Sequence, residues 1–179
     1  MNHDAYSDTY IRSILDEVRT IAMVGASANA IRPSYFAMKY LQAKGYRVVP
    51  VNPGKAGETL LGETVHGDLA AVPFPIDMVD IFRGAEAAGR IVDEAIALDP
   101  PPKVIWMQLT VRNDEAAARA EAAGLHVVMN RCPKIEYGRL SGEIGWVGVN
   151  KAVLSAKKPK LSPGYQHFGL GPARARPRP

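Results

Sequence analysis

The sequence predicts an α/β protein in which helices cover both faces of a parallel sheet. Three observations predict it: short unbroken apolar runs, amphipathic segments between them, and the regular alternation of the two along the chain. Strands that are buried on both faces have such continuous apolar runs. Alternation with helical segments of this length is typical of βαβ units. We therefore expect a doubly wound parallel sheet.

A predicted amphipathic helix comes before the first strand. Its apolar residues recur at helical spacing through residues 7–20, and either Ser7 or Asp8 fits the N-cap position. Five predicted strands follow, at 21–24, 46–51, 76–82, 103–109 and 125–129. Pro50 cannot donate to a ladder, so we expect it to mark the fraying end of the second strand.

Further helices fill the intervals between these strands. They are predicted at 33–44, 84–98 and 113–123. Pro33 is a typical first-turn residue, Gly45 a typical stop and Asn113 a good N-cap. The expected strand order is 3-2-1-4-5, in which ligands bind at the carboxyl ends of the strands where the order reverses.

Charge divides the chain into two parts. Residues 151–179 contain seven Lys or Arg and no Asp or Glu, whereas the whole chain has a net charge of +4, so the remainder is mildly acidic. We expect a domain at 1–150 and a flexible basic tail at 151–179. A nucleic-acid surface covering the whole domain is not indicated.

Composition also bears on the compartment. The single cysteine, Cys132, excludes an intramolecular disulfide and favours a reducing compartment. No apolar stretch approaches the roughly 18 residues that a membrane span needs. The first residues lack the basic and apolar regions of a signal peptide. We therefore expect a cytoplasmic protein.

A candidate phosphate loop follows the first predicted strand. Gly25, Ala26 and Ser27 form a glycine turn that leads to a helix start, where free N–H groups and the helix dipole favour an anion. Arg32 and Ser34 could add a charge and a hydroxyl. The full G-x-G-x-x-G fingerprint is absent, so a plain strand-to-helix turn stays open as the alternative.

The end of the second strand bears on which nucleotide is bound. NAD-binding domains usually place a carboxylate there for the ribose hydroxyls, but here Asn52, Pro53 and Lys55 follow the strand and the first carboxylate is Glu58. A lysine favours a phosphorylated ribose, as in NADP or coenzyme A. The alternative is that Lys55 is a solvated loop residue.

Several motifs together resemble the small CoA-binding domain proteins, which are related to the CoA-binding domains of the succinyl-CoA synthetase α subunit and of ADP-forming acyl-CoA synthetases. In chain order the motifs are GAS at 25–27, RPSY at 32–35, GYRVVPVNP at 45–53, DMVDIFR at 77–83, VIWMQ at 104–108 and NRCPKIE at 130–136. The resemblance spans about residues 11–140. It implies a Rossmann-like fold with CoA along the strand ends and phosphate on the 25–27 loop.

The resemblance also implies roles for residues after the second and third strands. Asn52, Pro53 and Lys55 should lie near the adenosine end of CoA. Phe82 should offer an apolar face and Arg83 a charge for phosphate as the ligand crosses the strand ends. Core packing for Phe82 and a surface position for Arg83 are the alternatives.

The resemblance does not extend to the ligase chemistry of the synthetases. Their phosphorylated histidine belongs to a second domain that we do not find in this sequence. His3 and His167 fall in ends that we expect to be flexible, and His66 and His126 have no matching context. No spacing of His, Cys and carboxylates indicates a metal site.

The sequence therefore predicts a protein that binds CoA or an acyl-CoA without a complete catalytic site of its own, and whether it is an enzyme stays open. One alternative is an NADP-dependent oxidoreductase, which would need a proton donor and a substrate domain. Another is an interaction subunit that complements an acyl-CoA synthetase in trans. A protein partner is thus compatible with the sequence, whereas a membrane partner is not expected.

Overall fold

A computed structural model describes residues 2–141 as a five-stranded parallel sheet with helices on both faces. The expected α/β fold with an N-terminal helix is confirmed. The domain limit at residue 150 and the basic tail at 151–179 lie outside the described residues, and both stay predictions.

The elements follow one another in the predicted alternation. The strands are β1 Thr20–Val24, β2 Arg47–Val51, β3 Thr59–Leu60, β4 Glu63–Thr64, β5 Met78–Ile81, β6 Val104–Met107 and β7 His126–Val128. The helices are α1 Asp8–Glu17, α2 Pro33–Ala43, α3 Ala85–Ile96, α4 Asp114–Ala122 and α5 Pro133–Leu140. A short 3₁₀ turn, Pro53–Lys55, follows β2.

The strand order follows the expected 3-2-1-4-5 pattern, although the third position is reduced to a bridge. The sheet runs β2-β1-β5-β6-β7, and the strand predicted at 76–82 lies next to β1 as β5. Beyond β2, His66 forms a single parallel bridge with Val51. The His66 N–H donates to the Pro50 carbonyl at 2.9 Å and the Asn52 N–H donates to the His66 carbonyl at 2.8 Å. The order therefore reverses between β1 and β5.

Two short elements were not predicted. β3 and β4 pair as an antiparallel hairpin within the loop after β2, and strands of two residues carry no usable periodicity. Helix α5 begins at Pro133, in a segment with little amphipathic patterning. Pro50 lies inside β2 and pairs in register with Met23, so the expected fraying at Pro50 does not occur. Pro50 is tolerated because β2 is the edge strand of the sheet.

Each face of the sheet has its own hydrophobic core. Along β1, Ile21 and Met23 pack toward the layer of α1, α2 and α5, whereas Ala22 and Val24 pack toward α3 and α4. Burial on both faces explains why the strands read as continuous apolar runs. The largest fully buried side chain, Trp106, lies in the first of these cores, and its indole N–H donates to the Arg131 carbonyl at 2.8 Å.

The amino-terminal residues are tied to the body of the protein. The side chain of Ser7 caps α1 by accepting a hydrogen bond from the Tyr10 N–H. His3 Nε2 lies 3.4 Å from a Glu121 carboxylate oxygen, and the His3 side chain is only 7% exposed. The expectation that His3 falls in a flexible end was therefore wrong.

Gly25 directly follows β1 and packs against Phe82, the residue after β5, at the point where the strand order reverses. Its φ is +90°, in the left-handed region that favours glycine. A Cβ added there would lie 2.6 Å from the Phe82 carbonyl oxygen. The carboxyl ends of β1 and β5 can approach this closely only because residue 25 has no side chain.

We predict that Gly25→Ala destabilises the fold by more than the cost of its backbone conformation. Gly45 is the matched control, because its φ is +92° and a Cβ there would meet nothing within 4 Å. Gly45→Ala should lower the free energy of unfolding by about 1 kcal/mol. Gly25→Ala should lose a further ~1–3 kcal/mol from steric overlap. Equal denaturation midpoints for the two variants would show that the close approach costs nothing.

Candidate functional site

A crevice opens beside the point where the strand order reverses. Its volume is about 620 Å³, within the range of sites for small molecules and cofactors. It is lined by Pro33, Phe36, Ala37, Phe82, Arg83, Gly84, Gln108, Leu109, Thr110, Val111, Cys132, Lys134 and Ile135. Ligands of open parallel sheets bind at such a position.

The loop after β1 holds its own shape by local hydrogen bonds. The Ser27 hydroxyl accepts from the Asn29 N–H at 3.2 Å, and the Asn29 side chain accepts from the Ile31 N–H at 3.1 Å. Ala26 is buried in the core beneath α2. The Ser27 hydroxyl therefore supports the conformation of the loop, whichever ligand the loop binds.

Three helices begin at the crevice without side-chain caps. The N-cap of α2 is Arg32, that of α3 is Gly84 and that of α5 is Cys132, and none of them makes a side-chain hydrogen bond to the first turn. By contrast, Ser7 and Asn113 cap α1 and α4. Residues from the starts of all three helices line the crevice. Uncapped N–H groups and the positive ends of helix dipoles favour an anion near such helix starts.

Two arginines stand beside these helix starts. Within residues 2–141, neither Arg32 nor Arg83 makes a side-chain hydrogen bond or an ion pair. Arg83 Nε lies 3.0 Å from the point where a Cβ on Gly25 would stand, so this guanidinium packs directly against the loop after β1. Arg83 therefore lies between the loop after β1 and the crevice that it lines.

Asn52 and Lys55, which follow β2, make different kinds of contact. The Asn52 side-chain amide donates to the Ala26 carbonyl at 2.8 Å and accepts from the Gly54 N–H at 3.1 Å. Asn52 thereby ties the loop after β1 to the turn after β2. Lys55 Nζ lies 2.9 Å from a Glu58 carboxylate oxygen, and both side chains are about half exposed. Such exposed pairs are weak, so Lys55 can exchange partners.

The base of the crevice contains a buried polar cluster. Asp80 is fully buried, and one of its carboxylate oxygens accepts from the Gln108 amide at 2.8 Å. Its other oxygen has no partner within residues 2–141. Burial raises the pKa of Asp80 to about 7, which the Gln108 hydrogen bond only partly opposes. Burial also raises the pKa of the Cys132 thiol to about 11, so the thiol is protonated at neutral pH.

Of the residues that the sequence singled out, Phe82 and Arg83 line the crevice. Gly25 contacts both of them, and Asn52 bonds Ala26 in the same loop. The remaining predicted residues do not line the crevice, namely Ser27, Arg32, Ser34, Pro53 and Lys55. The sequence analysis missed Gln108, although it ends the motif VIWMQ, and it missed the burial of Asp80 inside an apolar run.

The sequence contains a Tyr-x-x-x-Lys spacing, typical of some NADP-dependent oxidoreductases, at two places in α2. The pairs are Tyr35 with Lys39 and Tyr40 with Lys44. Neither pair lines the crevice, to which α2 contributes Pro33, Phe36 and Ala37. Lys44 Nζ instead lies 5.2 Å from the centre of the Tyr40 ring. The spacing therefore does not supply a proton donor to this crevice.

The described part of the chain contains neither a cluster of metal ligands nor a helix that could span a membrane. In residues 2–141, no group of three or more His, Cys, Asp or Glu side chains is arranged to hold a metal ion. No helix in the same range has the length and apolar character to cross a membrane.

Comparison with known proteins adds a family and a fold. The model of the family described as "CoA binding domain" matches residues 19–138. The uncharacterized protein YneT of Bacillus subtilis is 33% identical over 131 residues, which cover 73% of this chain and 94% of YneT. A hypothetical protein from Pyrococcus horikoshii OT3 has a similar structure, with a TM-score of 0.72 and 37% identity over 79% of this chain and 97% of that one.

A larger enzyme contains the same fold. The dinucleotide forming acetyl-coenzyme A synthetase 1 of Ca. Korarchaeum cryptofilum superposes with a TM-score of 0.53 and 21% identity. The match covers 62% of this chain but only 26% of the synthetase chain. At this identity the similarity shows the fold alone.

We predict that Asp80 makes the fold less stable as the pH rises. Because its pKa is raised from 3.8 to about 7, the unfolded chain loses this proton at lower pH than the folded protein does. Stability should therefore fall between about pH 4 and pH 7 and then level off. Asp80→Asn keeps an acceptor for Gln108 and removes the titration, so its stability relative to wild type should rise over this range by up to about 4 kcal/mol.

Urea denaturation at several pH values measures this difference. Glu94→Gln is the control, because Glu94 is exposed on α3 and its loss removes one carboxyl without touching the crevice. It should leave the pH dependence as in wild type. Parallel pH profiles for wild type and Asp80→Asn would contradict the prediction.

Proposed function

Since the chain belongs to the CoA binding domain family, we propose that it binds coenzyme A or an acyl-CoA at the crevice beside the ends of β5 and β6, without a complete catalytic site of its own. The observation that carries this proposal is that uncapped helix starts and Arg83, which has no side-chain partner within residues 2–141, line an apolar crevice. CoA has the matching division, with a pyrophosphate at one end and a less polar arm at the other.

The pyrophosphate is assigned to the loop after β1. Backbone N–H groups at the start of α2 would donate to it, and Arg32 and Arg83 would neutralise its charge. Gly25 contributes indirectly, because its missing side chain lets Arg83 approach the loop. The Ser27 hydroxyl already supports the loop, so it adds little direct binding energy in this arrangement.

The adenosine end is assigned to the turn Pro53–Lys55. Asn52 fixes this turn against the phosphate loop, so that its position relative to the pyrophosphate is set before the ligand binds. Lys55 would then leave Glu58 for the phosphate on the ribose. A carboxylate in place of Lys55 would repel that phosphate, which favours CoA over NAD.

The absence of catalysis is proposed from the groups at the base of the crevice. Cys132 is a protonated thiol at neutral pH, because burial raises its pKa to about 11, and a thiol is a poor nucleophile. Among the described residues, no histidine lines the crevice. We therefore assign to this protein the binding of a CoA ligand and no turnover of it. We also propose a cytoplasmic location, where a single thiol stays reduced.

We predict that the protein binds CoA more tightly than NAD or NADP. CoA offers both the ribose phosphate for Lys55 and the long arm for the apolar crevice, whereas the dinucleotides place a second nucleoside there. Calorimetry with CoA, 3′-dephospho-CoA, NADP and NAD gives the ranking. Tighter binding of NADP would favour the oxidoreductase alternative, and tighter binding of NAD would contradict the assigned role of Lys55.

We further predict that Glu58→Gln strengthens CoA binding. It frees Lys55 from its ion pair, and because such exposed pairs are worth roughly 0.2–1 kcal/mol, affinity should rise by up to about fivefold. Lys55→Glu should weaken CoA binding instead. Both effects should be small for 3′-dephospho-CoA, which lacks the ribose phosphate, and should shrink at high salt.

A control separates this effect from a general change in charge. Glu63→Gln removes a carboxylate from the nearby hairpin, where Glu63 pairs with Arg47 at 3.3 Å. It should leave the preference for CoA over 3′-dephospho-CoA unchanged. If Lys55→Glu weakens both ligands equally, Lys55 does not contact the ribose phosphate.

A further inference from the structure

Two of the side chains that line the crevice, Phe36 and Leu109, are large, apolar and exposed, and we call them the apolar wall. Three large hydrophobic residues are exposed within residues 2–141, namely Ile31, Phe36 and Leu109. Phe36 is 51% exposed and Leu109 is 39% exposed, and both line the crevice. Exposed apolar side chains that meet in a cleft mark a surface that binds an apolar group.

We propose that this wall binds the acyl chain of an acyl-CoA thioester, so that the ligand is an acyl-CoA with an apolar chain of medium length and not free CoA. This inference rests on the proposed CoA binding, in which Arg83 of the crevice lining helps to hold the pyrophosphate. Phe36 and Leu109 would be the two residues that distinguish an acyl-CoA from free CoA.

The chemistry of the crevice favours an acyl group over the pantetheine arm alone. The arm of CoA is less polar than the pyrophosphate but still carries two amides and a hydroxyl, so it covers Phe36 and Leu109 less favourably than a hydrocarbon chain does. Phe82, Val111 and Ile135 add further apolar side chains to the crevice. Its polar lining comes from Arg83, Gln108, Thr110 and Lys134, and Lys134 Nζ lies 5.9 Å from the centre of the Phe36 ring.

The polar groups at the base of the crevice fit an intact thioester. The Gln108 amide is held by Asp80, so it offers a fixed polar contact among apolar walls. Cys132 faces the same crevice as a protonated thiol, because burial raises its pKa to about 11. A thiol in this state does not readily attack a thioester. The acyl-CoA would therefore be held without losing its acyl group.

Calorimetry of the full-length chain with CoA, acetyl-CoA, butanoyl-CoA and octanoyl-CoA tests the proposal. Each methylene buried against the wall should tighten binding roughly three- to fourfold. Octanoyl-CoA should then bind on the order of 100-fold more tightly than butanoyl-CoA, which is four methylenes shorter. Mass spectrometry of the recovered ligand should return the intact thioester.

Variants locate the effect on the wall. Phe36→Ser and Leu109→Ser should each reduce the preference for octanoyl-CoA over CoA by about tenfold. Ile31→Ser is the control, because Ile31 is 80% exposed but does not line the crevice, and the preference should be unchanged. All three side chains are exposed, so these variants should fold; circular dichroism and CoA binding verify it.

The outcomes distinguish this inference from the proposal beneath it. Equal affinity for CoA and octanoyl-CoA would overturn the acyl chain assignment and leave CoA binding intact. A preference for octanoyl-CoA that survives in both wall variants would overturn the role of Phe36 and Leu109. Failure of every CoA compound to bind would overturn the proposed function, and the acyl assignment with it.

Discussion

The contact between Gly25 and the Phe82 carbonyl is the constraint on which the candidate site depends. It brings together the carboxyl ends of β1 and β5, which are the two strands between which the order reverses. From these adjacent ends the chain leaves toward opposite faces, into α2 on one side and α3 on the other. The crevice is the space that this divergence leaves. The same contact places Arg83 against the loop after β1, so one backbone position sets both the shape and the charge of the site.

The fold could be predicted from the sequence because burial on both faces leaves a direct pattern. The apolar runs at β1, β5 and β6 pack against a core on each side, and no surface strand would show such runs. Which segment takes the position beyond β2 was not predictable in the same way. Only His66 bridges to β2 there, in a segment whose strands are too short to have a pattern. The strand predicted at 76–82 pairs with β1 instead.

The site was predictable to the extent that its residues follow strands in sequence. Gly25 was found because it comes directly after an apolar run, and Arg83 because the motif DMVDIFR resembles a known family. Gln108 ends such a run too, but its role depends on a partner 28 positions away, Asp80. Asp80 interrupts an apolar run, and only the sheet register shows that it is level with Met23 and Trp106. The ion pair between Lys55 and Glu58 has a spacing that the sequence shows, but its distance depends on the 3₁₀ turn.

Two of the uncapped helix starts belong to different layers of the protein. α2 packs on one face of the sheet and α3 on the other, yet both begin beside the same crevice. An anion that accepts hydrogen bonds from both would form a non-covalent bridge across the edge of the sheet. Separation of either layer from the sheet would then require release of the ligand, so occupancy would add to the free energy of opening both layers. Amide exchange at the two helices, which are distant in sequence, would become coupled through a single bound molecule.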